Sequence, residues 1–180
     1  MKPLKTRILT DLPVIFLVLF NICIHLLVIN NLEYHRDELL YFSLGQHPDF
    51  GFATVPPMIG WIAWLMQNVF GNSLFAVRLF PALLSGVLVI LVSAIARELG
   101  GRSYSRILAS IVFIISVFAL RTFSLYMPVH IDVFFWTLVI YLVLRYLNTS
   151  SDKTLIWLGV AIGFSLLNKY LIGVITTRLC

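Results

Sequence analysis

Apolar residues run in long blocks along this chain, and polar residues collect between the blocks. The first block is 12–29, behind the basic start Lys2, Lys5 and Arg7. Eighteen residues at roughly 1.5 Å each reach about 27 Å, close to the ~30 Å hydrocarbon core of a bilayer. Asn30 and Asn31 follow, where a cleaved secretory signal would carry small residues, so the pattern predicts a retained helix. The most polar stretch, 30–54, holds Glu33, His35, Arg36, Asp37, Glu38, His47 and Asp49 and is expected outside the membrane. Pro56-Pro57 opens the apolar run 58–70, which is short for a span and carries Trp61 and Trp64. That suits a helix lying along the interface, with a plain buried helix as the competing reading. Further spans are expected at 79–96, at 107–120 with continuation past a snorkelling Arg121 toward Tyr126, at 131–147, and at 155–175. Gly159 and Gly163 in the last have the spacing that permits close helix contact.

Composition agrees with a bilayer as solvent. The chain is 60% apolar and 12% charged with mean hydropathy +0.97, against about 25% charged residues in a soluble domain. The fold class is therefore all-α, a polytopic membrane protein with about five transmembrane helices and an interfacial helix in the first outer loop. The net charge of +5 comes from cations scattered at segment ends, which argues topology and not nucleic acid. With the N-terminus inside, Lys2, Lys5, Arg7, Arg97, Arg102, Arg106, Arg145 and Lys153 face the cytoplasm. Arg36, Arg78, Arg121, Lys169 and Arg178 face outward, together with most of the acids. The excess of inner cations favours a cytoplasmic N-terminus. Cys23 and Cys180 form no recognisable disulfide framework, and no histidine pair stands at metal-ligand spacing, so no zinc site built from the histidines is expected.

Polar residues beside spans are costly and are candidate functional groups. Asp37, Glu38, Arg121, His130, Asp132 and Lys169 all fall at the outer end under this topology. Carboxylates and cations at one face suit a reaction on a lipid-linked phosphate, the cations holding phosphate and a carboxylate acting as base. Competing readings stay open at this level. Asp37 and Glu38 also fit solvated loop acids, Asp132 a helix cap, Arg121 an interfacial anchor, and Arg78 an anchor or the partner of an acid. His25, in mid-span, fits a bond to a neighbouring helix.

Six strings in order carry a resemblance: Tyr34-His35-Arg36-Asp37-Glu38-Leu39-Leu40-Tyr41, Gly51 to Trp61 around Pro56-Pro57, Phe70 to Leu79, Arg97-Glu98-Leu99-Gly100-Gly101, Asp132-Val133-Phe134-Phe135-Trp136, and Leu167-Asn168-Lys169-Tyr170. Together they resemble the N-terminal part of glycosyltransferase family 39, the PMT-like membrane enzymes. That family includes protein O-mannosyltransferases and the lipid A aminoarabinose transferase. The resemblance implies a GT-C fold, with 1–180 a partial transmembrane domain and an outer loop at about 30–75. It implies transfer of a sugar from a polyprenyl-phosphate-linked donor to a hydroxyl or phosphate acceptor at the extracytoplasmic face of a bacterial plasma membrane. The acidic residue of the first loop carries over to Asp37, with Glu38 beside it, as catalytic groups. Lys169, Arg121 and Asp132 are the implied substrate-binding residues. No cofactor is implied, and the residues neither require nor exclude a divalent metal.

The chain departs from the family pattern at Thr54-Val55, where many relatives place an acid or a lysine before the Pro-Pro pair. It is also shorter than the family's members, and its ending reads as a truncation, so the expectation is that it holds part of a site. Two other classes compete. A transporter fits intramembrane Asp132 and Lys169, although its polar groups would be expected nearer the midplane. A non-catalytic membrane subunit that binds lipid fits the length.

Overall fold

The computed structural model describes residues 4–169 except 30, 32, 34 and 54, with side chains from Leu12 onward. Among the described residues it is all helical: α1 (Leu4–Val28), α2 (Arg36–Leu44), α3 (Met58–Phe70), α4 (Leu74–Glu98), α5 (Ser103–Ile115), α6 (Val117–Ser124), α7 (Pro128–Thr149) and α8 (Asp152–Leu166). The long helices run back and forth. α1, α5, α6 and α7 pack around α4, and α8 packs on α7.

The all-helical membrane expectation holds, but the spans are less regular than the apolar blocks imply. α4 and α7 are each long and apolar enough to cross a membrane unaided. The expected third span is broken. α5 ends at Ile115, Ser116 is extended (φ −63°, ψ 122°), and α6 leaves at 60°. Ile114, Ile115 and Val117 flank the serine, and β-branched residues and serine are weak helix formers, while α6 packs on α4 beyond the break. α1 continues through Pro13, and its described apolar part is Leu12–Val28. α8 stops at Leu166, short of the expected 155–175 block, whose remainder from residue 170 lies outside the described residues.

Polar groups inside the bundle pair across helices, as they must where water is absent. Asn21 Nδ2 donates to Ser85 Oγ (2.8 Å), joining α1 to α4. His25 Nδ1 meets Ser124 Oγ at 3.3 Å, the expected interhelical bond, here to α6. Arg106 Nε donates to Ser93 Oγ (3.1 Å) between α5 and α4. At the far end, Asn148 Nδ2 donates to the Glu98 carbonyl (2.8 Å), tying α7 to α4.

The close helix contact falls elsewhere than expected. A Cβ added at Gly159 or Gly163 meets nothing within 4 Å among the described residues. Gly86 on α4 instead receives Ile22 of α1, and Gly45 lies against the backbone of α3 at Ala63 and Trp64. The two glycines differ in what an extra methyl would strike. At Gly86 it meets the mobile tip of Ile22 at 2.7 Å, whereas at Gly45 it meets Trp64 N at 2.8 Å. Gly45→Ala is therefore expected to destabilise by about 1–3 kcal/mol through overpacking, and Gly86→Ala by clearly less. Equal midpoints in denaturant unfolding of the two variants would refute this assignment.

Candidate functional site

The connection between α1 and α4 is held down by its acids. α2 begins at Arg36, with His35 as N-cap: its Nδ1 accepts from the Asp37 amide (3.3 Å), and its own amide donates to Glu38 Oε2 (3.0 Å). Acids in a first turn also suit the positive end of the helix dipole. From this start the two neighbouring carboxylates diverge. Asp37 is half-exposed, 3.6 Å from Arg36 Nε and 3.9 Å from His35 Nδ1. Glu38 turns inward and is 2% exposed.

Arg78, near the start of α4 and fully buried, receives Glu38. Its Nη2 donates to Glu38 Oε2 (2.6 Å) and its Nε to Oε1 (2.9 Å), a two-pronged pair. The rest of the guanidinium donates to the carbonyls of Ile29 (2.8 Å) and Glu33 (2.9 Å). One side chain thus gathers the end of α1, the following loop and α2 onto α4. Glu38 Oε1 also accepts the Tyr126 amide (2.7 Å) from the α6–α7 link. Burial pushes the Glu38 carboxyl up. The hydrogen bonds from Arg78, Tyr126 and His35, with the Arg78 charge, outweigh it and hold the carboxyl below its usual range.

The ring of connections continues from there. Tyr126 Oη donates to the Ile59 carbonyl of α3 (2.6 Å), and burial raises its phenol well above the ordinary value. The Met58 amide at the start of α3 donates to the Leu167 carbonyl after α8 (3.2 Å). Asn168 Nδ2 donates to the Pro128 carbonyl at the start of α7 (3.1 Å). α2, the α6–α7 link, α3, α8 and α7 are therefore bound together at one end of the bundle, over a core of Met58, Ile59, Ala63, Val77, Tyr126, Ile131 and Phe135. Tyr41 of α2 packs on that core, its phenol raised by burial and by the charge of Asp37, so at neutral pH it remains a hydrogen-bond donor.

α3 is two-faced. Met58, Ile59, Ala63, Met66 and Gln67 are buried, while Trp64, Leu65, Val69 and Phe70 are exposed. Gln67 Nε2 donates to the Phe42 carbonyl (2.7 Å), fastening α3 to α2. One face of the helix is thus buried, as the competing reading has it, and the other is apolar and exposed.

Four of the five singled-out residues, Asp37, Glu38, Asp132 and Lys169, belong to this end of the bundle. Asp132 is the fifth residue of α7 and does not cap it, since Met127 occupies the N-cap. Its Oδ1 is buried without a hydrogen-bond partner among the described residues. Lys169 follows Asn168, whose side chain is tied to Pro128, so its backbone stands at the seam with the first turns of α7, where Asp132 lies. It does not stand inside a continuous helix, as the apolar block implied, but beyond the end of α8, where its amide still bonds the Ser165 carbonyl (3.0 Å). The tertiary bonds of Leu167 and Asn168 take the chain out of the helix there. Arg121 is exposed on α6, near the Tyr126 end of that helix.

Two contributors escape a reading of the pattern. Tyr126 looks only like a helix end, and Asn168 is overshadowed by its charged neighbour. An asparagine and a tyrosine beside apolar blocks were the available signals. Among the described residues no three His, Cys, Asp or Glu side chains gather as a metal site.

With this geometry in view, the sequence profile described as dolichyl-phosphate-mannose-protein mannosyltransferase matches residues 54–179. The match contains Arg78, Arg121, Asp132 and Lys169 and begins after Asp37 and Glu38. No curated protein and no solved structure matches the chain.

Proposed function

The chain belongs to the dolichyl-phosphate-mannose-protein mannosyltransferase family of membrane glycosyltransferases, and from that premise we propose that it carries the extracytoplasmic donor end of such an enzyme. A sugar leaves a polyprenyl-phosphate carrier for an acceptor hydroxyl. The acceptor oxygen attacks the anomeric carbon, the bond from that carbon to the phosphate oxygen breaks, and polyprenyl phosphate departs with the electron pair. The acceptor's proton passes to Asp37.

The observation that carries this reading is the gathering of Asp37, Asp132 and Lys169 at one end of a helical membrane bundle. Within that reading the two adjacent acids divide the work. Glu38 accepts four hydrogen bonds, so its oxygens are occupied, and it serves to hold α2 on Arg78. Asp37, one residue earlier and half-exposed, is left to meet the acceptor. Lys169 faces the phosphate, where a cation stabilises the charge that develops on departure, and the exposed Arg121 assists from α6. A phosphate leaves without a general acid, so no second proton donor is needed.

The orientation follows from the same division. The opposite end of the bundle holds Arg97, Arg102, Arg106, Arg145 and Lys153, and positive ends stay in the cytoplasm. The membrane is a bacterial plasma membrane in this reading.

The test is turnover of a radiolabelled polyprenyl-phosphate sugar by membranes containing the chain. Release or transfer of sugar above control membranes is the expected result. Binding of the carrier with no turnover would overturn catalysis by this chain and leave a lipid-binding subunit; solute flux in proteoliposomes would indicate transport instead.

A further inference from the structure

At the seam where the residues after α8 meet the first turns of α7, two hydrogen-bond acceptors have no donor among the described residues: Asn168 Oδ1 and Asp132 Oδ1, both buried. Asn168 is 3% exposed, and its Nδ2 donates to the Pro128 carbonyl at 3.1 Å. A carbonyl only accepts, so this bond fixes which way the amide is turned, and the oxygen faces away from Pro128. Asp132 stands four residues after Pro128 on α7, a spacing that places the two on one helix face. Lys169 follows Asn168 directly, so a cation stands at the same seam. The third unpartnered atom, His130 Nε2, is separate. Its ring lies among Phe80, Phe123 and Tyr126, two residues from Asp132 and so on another face of α7.

Folded proteins leave few buried polar atoms unpaired. Two acceptors at one seam beside a cation fit a ligand that brings hydrogen-bond donors and a negative charge together. We propose that Asn168 and Asp132 form the hydroxyl-reading part of the donor subsite, accepting hydrogen bonds from the sugar ring while Lys169 faces the phosphate that links it to the lipid. The inference rests on the lipid-linked donor of the preceding section and names the groups that distinguish charged carrier from spent carrier. A bare phosphate monoester presents chiefly acceptors. It would set them against Asn168 Oδ1 and Asp132 Oδ1, so the seam holds the sugar-bearing lipid more tightly than the lipid left after transfer. Product release follows from the same mismatch.

The experiment compares binding of a polyprenyl-phosphate hexose and of bare polyprenyl phosphate to the full chain in lipid nanodiscs. The wild type is expected to prefer the hexose-bearing lipid. Asn168→Ala is expected to lower affinity for it by roughly tenfold, as for a lost hydrogen bond, and to leave the bare lipid unchanged. Lys169→Ala is expected to weaken both. Asn168→Asp keeps an acceptor but loses the donor to Pro128, and it is expected to retain the preference for the hexose. If alanine and aspartate both abolish the preference, Asn168 acts only as the tie to Pro128 and the inference is overturned. If Asn168→Ala keeps the wild-type preference, the inference fails while the donor reading stands. If the wild type binds neither lipid, both fail.

Discussion

Arg78→Ala is expected to lower the stability of the chain by about 3–5 kcal/mol, the usual effect of removing one member of a buried ion pair. The magnitude comes from what is left behind. Glu38 would remain buried against the Tyr126 and His35 amides with no counter-charge, and the carbonyls of Ile29 and Glu33 would lose their donors. Glu38→Gln should cost less, since an amide keeps the shape and part of the bonding. Replacing both partners, Glu38→Leu with Arg78→Met, is expected to recover stability relative to Arg78→Ala, because no uncompensated charge remains. The pair also carries a pH signature. Against the effect of burial, the Arg78 guanidinium and the Tyr126 and His35 amides hold the folded Glu38 carboxyl below its ordinary value of 4.5, so its contribution is complete above that value. It is lost as pH falls through the lower folded value. Wild type should therefore lose stability on acidification below about pH 4.5, and Glu38→Gln should show a flatter profile. Denaturant unfolding in mild detergent across that pH range reads both effects. A profile in Glu38→Gln as steep as wild type would remove Glu38 as the source.

Much of the bundle could be read from the apolar blocks because a membrane helix must satisfy its own backbone over a fixed thickness. The cores of α4 and α7 and the existence of a short helix at α3 follow from block length, while the two faces of α3 come only with the fold. The site residues could be brought toward one end for a related reason. Successive crossings return the chain to alternate ends, so Asp37, Arg78, Asp132 and Lys169 fall toward one end if the crossings are counted correctly. What the pattern does not carry is pairing. Nothing in Asp37-Glu38 says which carboxylate turns inward; that depends on Arg78 of α4, 40 residues away in sequence. The break at Ser116 is a balance between weak local helix propensity and packing of α6 on α4. The halt of α8 before Lys169 depends on bonds from Asn168 to Pro128 and from Met58 to Leu167. The spacing of Gly159 and Gly163 marks where helices can approach, and only the fold shows that Gly86 has a neighbouring helix while they have none among the described residues.

Asp37→Asn is expected to reduce sugar transfer by about 10²–10⁴-fold, the range for loss of a positioned general base, while leaving the fold essentially intact. The contrast with Glu38 is the argument. Asp37 is half-exposed, and its ion pair with Arg36 is long and solvated, the kind worth at most about 1 kcal/mol. Its amide, not its carboxylate, makes the bond to His35 Nδ1, and that bond survives the substitution. Asparagine keeps the size and the capacity to accept a hydrogen bond and loses the capacity to take a proton. The loss should therefore appear in kcat, with carrier affinity little changed. Glu38→Gln should behave differently: a shifted unfolding midpoint, with transfer falling only as far as the misplacement of α2 requires. Asp37→Asn with full transfer, beside Glu38→Gln that is folded yet inactive, would assign the proton to Glu38. It would also mean that the Arg78 pair opens during turnover, since a base holding four hydrogen bonds has no lone pair placed for an incoming hydroxyl.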